Sequence, residues 1–347
     1  MKSYLVKLSP QEPYFFGNEK TFKFEKEDNQ GQMGNSYFIR SERTPLQTTL
    51  MGMMRYILMP YKDFRHHEEN SPVIGRESFR ITAENQKFGV IQKISPLFIM
   101  KGSDKYVVTP FDCISKINNK YTEVYTPFKK YTEITTDSGK KRYAEEYDAK
   151  AGIADSYVNL SNRTLVQACE IFGTETRVGI KKVMKGKNEK AFFKKEYCYL
   201  KDDFIFAFYV ELDDSARLPE NMKTEVAIGQ GKSLFAVEFV QQDNTIIKEV
   251  SKILPDGISY CLSDVFVNSE IYNCCEFAVT ATRDYRAFET TSDGKVRKDS
   301  TLWKLIKAGS VFIVSDREQF SKLTENANCQ TTGFNYIADN QEVKKCL

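Results

Sequence analysis

The sequence predicts an α+β fold made of two β-α-β-β-α-β units, the first interrupted by a large insertion. Three observations point there. Residues 3–8 alternate like a strand, and the order strand, helix, glycine turn, strand follows at 204–240 and again at 309–338. Tyr (19) and Phe (25) far outnumber Trp (1), which favours strands over long helices. A length of 347 residues suits two domains. The expected division is 1–242, with the insertion at about 101–200, and 243–347.

Taken in order, the strand at 3–8 is followed by a long loop rich in Gly, Asn, Glu and Lys. Thr44-Pro45-Leu46-Gln47 predicts a helix start, with Thr44 as cap, Pro45 in the first position and Gln47 completing a capping box. Leu46, Leu50, Met53, Met54, Ile57 and Leu58 give that helix one apolar face, and Pro60 ends it. Residues 88–100 and 105–109 read as strands around Lys101-Gly102-Ser103-Asp104. The Lys-, Tyr- and Thr-rich stretch 110–162 reads as an insertion or extended hairpin turning at Asp137-Ser138-Gly139, and 163–172 as a short helix. Lys181 to Lys201 holds eight lysines against Glu189 and Glu196, and Lys185-Gly186-Lys187-Asn188 is a hairpin turn between its arms. Phe204–Leu212 is a buried strand. A helical or loop segment to Glu225 follows, then Ile228-Gly229-Gln230-Gly231-Lys232 and the strand 233–240. The second unit has strands near 257–267, 275–282 and 309–315, a helix at 317–325, and a last strand after Thr331-Thr332-Gly333-Phe334.

Charge narrows the functional classes. The formal net charge is +3, so a nucleic-acid role must rest on local clustering. No stretch is apolar and long enough for a signal peptide or membrane helix, so a cytoplasmic protein without membrane contact is expected. The eight cysteines show no C-x-x-C spacing and read as small buried apolar residues.

Few motifs carry catalytic chemistry. Gly231-Lys232-Ser233 looks like the end of a phosphate-binding P-loop, but Val226 stands where the first glycine belongs and a strand-like segment follows. A tight turn, or a glycine loop that lets an RNA backbone approach closely, fits better. His66 and His67 are the only histidines, in a polar loop after a helix end. Asp202-Asp203 and Asp213-Asp214 bracket one strand, too far apart for a shared site. No catalytic residue, metal or cofactor is expected. The basic hairpin interleaves Phe192, Phe193, Tyr197 and Tyr199 with lysines, a pattern suited to phosphates and bases. Arg177-Val178-Gly179-Ile180 precedes it with a fork-shaped donor and a flexible glycine.

Four separated segments resemble one family. Residues 9–22 (SPQEPYFFGNEKTF) are similar to its opening pattern: Pro, a polar or acidic step, Phe, and a turn ending in Phe. Residues 44–55 (TPLQTTLMGMMR) are similar to its first-helix pattern of Pro, a small hydroxyl residue, Leu, Gly and Arg. Glu175-Thr176-Arg177-Val178-Gly179-Ile180 resembles its Arg-Val-Gly-Ile block, and Ala308-Gly309-Ser310-Val311-Phe312 its late Gly-Ser-Val-aromatic strand. The segments span the chain in the family's order. The family is subunit three of the Cmr (type III-B) CRISPR effector complex, within the RAMP superfamily. The family's closing loop often ends in a further Gly; here Asn335 follows Gly333-Phe334.

The resemblance implies two ferredoxin-like (RRM-like) domains in a non-catalytic, RNA-binding subunit for antiviral defence. It would grip the 5′ handle of the CRISPR RNA and bridge the large polymerase-like subunit to the backbone RAMP subunit, meeting target RNA indirectly. The RNA-facing residues expected on this basis are Thr48, Thr49 and Arg55 at the first helix, Arg177, Gly179, Lys181, Lys182 and Lys190 at the hairpin, and Gly229, Gly231 and Lys232 in the glycine loop. The alternatives at this point are a RAMP-type endoribonuclease processing precursor RNA, with His66 or His67 or a tyrosine as base, the equivalent subunit of a type III-A complex, and a protein-interaction module without RNA contact.

Overall fold

The computed structural model describes residues 1–17, 22–27, 33–62, 66–83, 85–114, 116–117, 120–137, 139–150, 152–181, 191–216, 218–219, 221–229, 231–290 and 296–340. It is a mixed α+β structure dominated by sheets. Apolar residues alternate along Lys2–Pro10, so the strand has two different faces. Tyr4, Val6 and Leu8 enter one core, whereas Leu5 enters another. It pairs antiparallel with Ile205–Leu212 on one side and Ser233–Gln241 on the other, with Val6 opposite both Phe208 and Phe239. The three strands expected to share a sheet therefore do. Ile91–Ile94 and Phe98–Lys101 both pair antiparallel with Ile205–Leu212.

The same sheet runs on through Asp104–Val108, Ser156–Asn159 and Leu165–Gln167, so the 101–200 segment supplies three of its strands. Residues 163–172, expected as a short helix, are that last strand, a four-residue helix Ala168–Ile171 and the start of the next strand. At the opposite edge stands Lys223–Ile228, where a helix or loop was expected. Its burial alternates, with Val226 and Ile228 inside and Glu225 and Ala227 outside, a period of two that suits a strand.

Helix Gln47–Leu58 covers one face of this sheet through Leu50, Met51, Met53 and Met54. It begins three residues after Thr44. Leu46 is its N-cap and no side chain caps it, so the capping box predicted from Thr44 and Gln47 does not form. Helix Ile246–Ile253 covers the other face through Ile246, Val250 and Ile253.

A second antiparallel sheet has the order Cys275–Val279, Val311–Val314, Ile258–Cys261, Ile337–Asp339. Its inner residues Ile258, Tyr260, Val311 and Ala338 join the core beneath Leu5 and Tyr209, and the Tyr260 hydroxyl donates to the Val108 carbonyl at 2.7 Å. Cys261 and Phe312 face the other way, onto Ile271 and Phe320. In the closing loop Asn335 has φ +57°, the left-handed conformation that asparagine tolerates, which accommodates it where the family often has glycine.

A third sheet arises where the sequence suggested a loop. Phe22–Glu27 and Met33–Arg40 form a hairpin, and Met33–Arg40 pairs in parallel with Ala191–Leu200, an arm of the basic hairpin. That hairpin is longer than expected, because its first arm spans Phe172–Lys181 and includes Arg177. The turn at 182–190 lies outside the described residues. Among the described residues no helix is long and apolar enough to cross a membrane.

Candidate nucleic-acid interface

Four of the eleven residues expected to face RNA line a single cavity of about 610 Å³: Thr48, Thr49, Arg55 and Gly229. The first three project from one side of helix Gln47–Leu58, with Gly52 between them. Arg283, Tyr285, Arg286, Phe288 and Lys298 close the cavity from later in the chain. Burial pushes the Tyr285 phenol up to about 12, against a smaller lowering by a hydrogen bond from Thr48, so it stays neutral. The Arg55 guanidinium donates to the carbonyls of Glu77 and Gly75, both at 2.9 Å, and burial lowers its pKa. Arg55 thus fixes the wall and spends much of its donor capacity doing so. Phe288 is 56% exposed, with the Lys298 ammonium 5.9 Å from its ring centre. An open aromatic face beside a cation suits a base and its phosphate.

The glycine loop is a four-residue turn between two strands, Ile228 pairing with Ser233. Gly229 has φ +81°, and a Cβ there would sit 2.6 Å from the Phe15 carbonyl. Gly231 differs. A Cβ there would meet nothing closer than 3.7 Å, so backbone shape requires glycine at Gly229 alone. Lys232 occupies the left-handed region itself, at φ +52°, and its amide donates to the Gly229 carbonyl at 3.1 Å. Strand Ser233–Gln241 follows, so no helix N-terminus faces this turn as a P-loop requires.

Beside the turn stands the hairpin. Arg177 lies opposite Lys195 in the ladder. Its guanidinium carbon is 4.6 Å from the Tyr197 ring centre, and its Nε donates to Glu175 at 2.8 Å, which raises its pKa. Tyr197 packs edge-on against Phe15 at 5.6 Å, and the Lys195 ammonium is 5.0 Å from the Phe15 ring centre. Tyr197 is also among the nearest neighbours of Gly231. Arg177, Tyr197 and the glycine turn therefore lie together over the buried Phe15 ring, and Gly229 joins them to the cavity. Gly179 stands opposite Phe193 on the same arm. The Lys181 side chain, and all of Lys182 and Lys190, lie outside the described residues.

Sequence reasoning missed Phe288, Arg286 and Lys298. The alternation of aromatic and basic residues from Arg283 to Lys298 is the signal that could have found them. His66 is exposed, stacks on Tyr61 at 4.7 Å, lies 3.4 Å from Glu69, and lines neither this cavity nor the one between the sheets. Asp214 pairs with the N-terminal amine at 2.9 Å, and Asp202 and Asp203 form a left-handed turn.

Residues 6–255 match the family described as CRISPR-associated protein (Cas_Cmr3). No curated protein matches the chain. Among solved structures it resembles a chain of the type III-B Cmr-beta complex bound to cognate target RNA. The TM-score is 0.56 and the identity 13%, covering 98% of this chain and 97% of that one. A chain of the same complex bound to target RNA and AMPPnP gives a TM-score of 0.51 at 12% identity, covering 97% and 96%. At these identities the likeness is one of fold. The family match extends over nearly three-quarters of the sequence and includes three of the four segments that first suggested it, so the chain belongs to the CRISPR-associated Cmr3 family.

Proposed function

We propose that this protein is a non-catalytic, RNA-binding subunit of a type III-B CRISPR effector that holds the 5′ handle of the CRISPR RNA. The observation that carries this reading is the continuous surface formed by Arg177, Tyr197, the glycine turn and the Thr48–Arg55 cavity. It combines cations, hydroxyls and aromatic rings, the chemistry that binds single-stranded RNA. The chain works in the cytoplasm and bridges the large polymerase-like subunit to the backbone RAMP subunit, meeting target RNA only through the assembly. Its scaffold is two ferredoxin-like units, 1–242 and 243–347. The strand orders support this: 233–241, 2–10, 205–212, 91–101 in the first and 337–339, 258–261, 311–314, 275–279 in the second are both the 4-1-3-2 order of a β-α-β-β-α-β unit. In the first unit, strand Lys223–Ile228 occupies the place of the second helix.

The test is to incubate the purified chain with end-labelled repeat RNA. The expected outcome is a bound, intact handle. Clean cleavage would replace this reading with an endoribonuclease, and no binding under low salt would remove it.

A further inference from the structure

Tyr131–Thr136 pairs antiparallel with Gly139–Ala144, and this hairpin sits beside Cys275–Val279, the outer strand of the second sheet. The Lys141 ammonium donates to the carbonyls of Tyr272 at 3.2 Å and Cys275 at 2.7 Å, and the Arg142 guanidinium pairs with Glu276 at 2.9 Å. The Tyr131 ring meets Phe277 edge-on at 5.1 Å. The hairpin is thereby held in place, and no strand among the described residues pairs with the outer side of Tyr131–Thr136. The ladder decides which backbone groups that side offers. The Glu145 amide donates to the Lys130 carbonyl at 3.0 Å, so Lys130 and every second residue after it turn their N–H and C=O toward Gly139–Ala144. Tyr131, Glu133 and Thr135 turn theirs outward, about 7 Å apart along the strand.

Edge strands are normally guarded by shortness, lysine, proline or a bulge. Leu165–Gln167 and Ile337–Asp339 are three residues long, and Lys223–Ile228 opens on a lysine. Tyr131–Thr136 has six residues, no lysine or proline, and an uninterrupted register. Its one charge, Glu133, is met by Arg142 at 3.3 Å and Lys140 at 3.8 Å. Ile134, 46% exposed, and Tyr143, 51% exposed, share one face of the hairpin. A row of alternating N–H and C=O groups is matched by another extended polypeptide backbone. RNA fits it poorly, because phosphates offer acceptors only and the strand's single charged side chain is a carboxylate. We propose that Tyr131–Thr136 is the docking edge for an extended strand of a neighbouring protein subunit. That strand adds to the hairpin through the backbone of Tyr131, Glu133 and Thr135 and lays an apolar side chain beside Ile134. The proposal rests on the reading of this chain as a subunit of a type III-B effector.

Backbone hydrogen exchange over residues 131–136 is measured in the isolated chain at two concentrations, with handle RNA added, and in the effector assembled with its other subunits. The outward amides should exchange fast in the isolated chain, with or without RNA, and slow by roughly a hundredfold in the effector. Thr135→Pro removes an outward N–H and no ladder bond. It should keep the melting transition and the RNA affinity while weakening assembly roughly tenfold, whereas Thr135→Ala should assemble like the parent. Unchanged exchange in the effector, or normal assembly of Thr135→Pro, overturns the proposal and leaves the RNA-binding reading intact. Protection that appears with RNA alone overturns it in favour of a nucleic-acid contact. Protection of the isolated chain that fades on dilution overturns it in favour of a second copy. Failure of the parent chain to enter the effector overturns both this proposal and the subunit reading.

Discussion

At Gly229 the backbone turns at φ +81° against the Phe15 carbonyl, and no other residue type fits without strain. Gly229→Ala should destabilise the fold by about 1–2 kcal/mol. Gly231→Ala, whose Cβ would make only ordinary van der Waals contacts, should stay within about 0.5 kcal/mol. Equilibrium denaturation of the two variants checks the contrast. A second residue-scale effect concerns Asp112, which is fully buried and meets the Tyr125 hydroxyl at 2.9 Å, while its Oδ2 has no partner. Burial pushes its carboxyl from 3.8 up to about 6. Between those values the folded state keeps a proton that the unfolded chain releases, so this group's contribution to stability falls as pH rises through the window. Asp112→Asn removes that dependence. The variant-minus-parent difference in unfolding free energy should therefore grow by about 2 kcal/mol from pH 4 to pH 7. A difference that stays flat with pH would count against it.

Among the elements, helix Gln47–Leu58 shows how a local signal can mislead. The Thr44-Pro45-Leu46-Gln47 pattern has the composition of a capping box, yet the chain stays extended to Leu46 and the helix starts without a side-chain cap. Thr44→Ala should thus cost less than about 0.5 kcal/mol by denaturant unfolding, rather than the roughly 1 kcal/mol of a lost cap. Elements set by strong apolar alternation were legible: the strands at 2–10, 205–212 and 233–241, and the buried face of Leu50, Met53 and Met54. Those stabilised by distant partners were not. Met33–Arg40 is polar enough to read as loop and becomes a strand by pairing with Ala191–Leu200, more than 150 positions away. The site divides the same way. Thr48, Arg177 and Gly229 were visible in local motifs, while Arg286, Phe288 and Lys298 reach the cavity only because a segment more than 200 positions further along packs beside the first helix.

For the molecule as a whole, the Arg283 triad ties Glu42, just ahead of the first helix, to Asp264. Burial alone would lower the Arg283 pKa, but the two carboxylates raise it well above its usual value, so it stays charged at every working pH. Arg283→Ala removes the guanidinium from a largely buried Asp264 and a partly exposed Glu42 and should cost about 2–3 kcal/mol in unfolding free energy. The central claim is that the surface joining Arg177 to the Lys298 cavity binds the RNA backbone. It is tested most directly by the salt dependence of handle-RNA affinity in Arg177→Ala and Lys298→Ala variants. Each lost phosphate contact should flatten the log–log slope by about 0.7, with the double variant losing about twice that. A double variant with the parent's slope and affinity would contradict it.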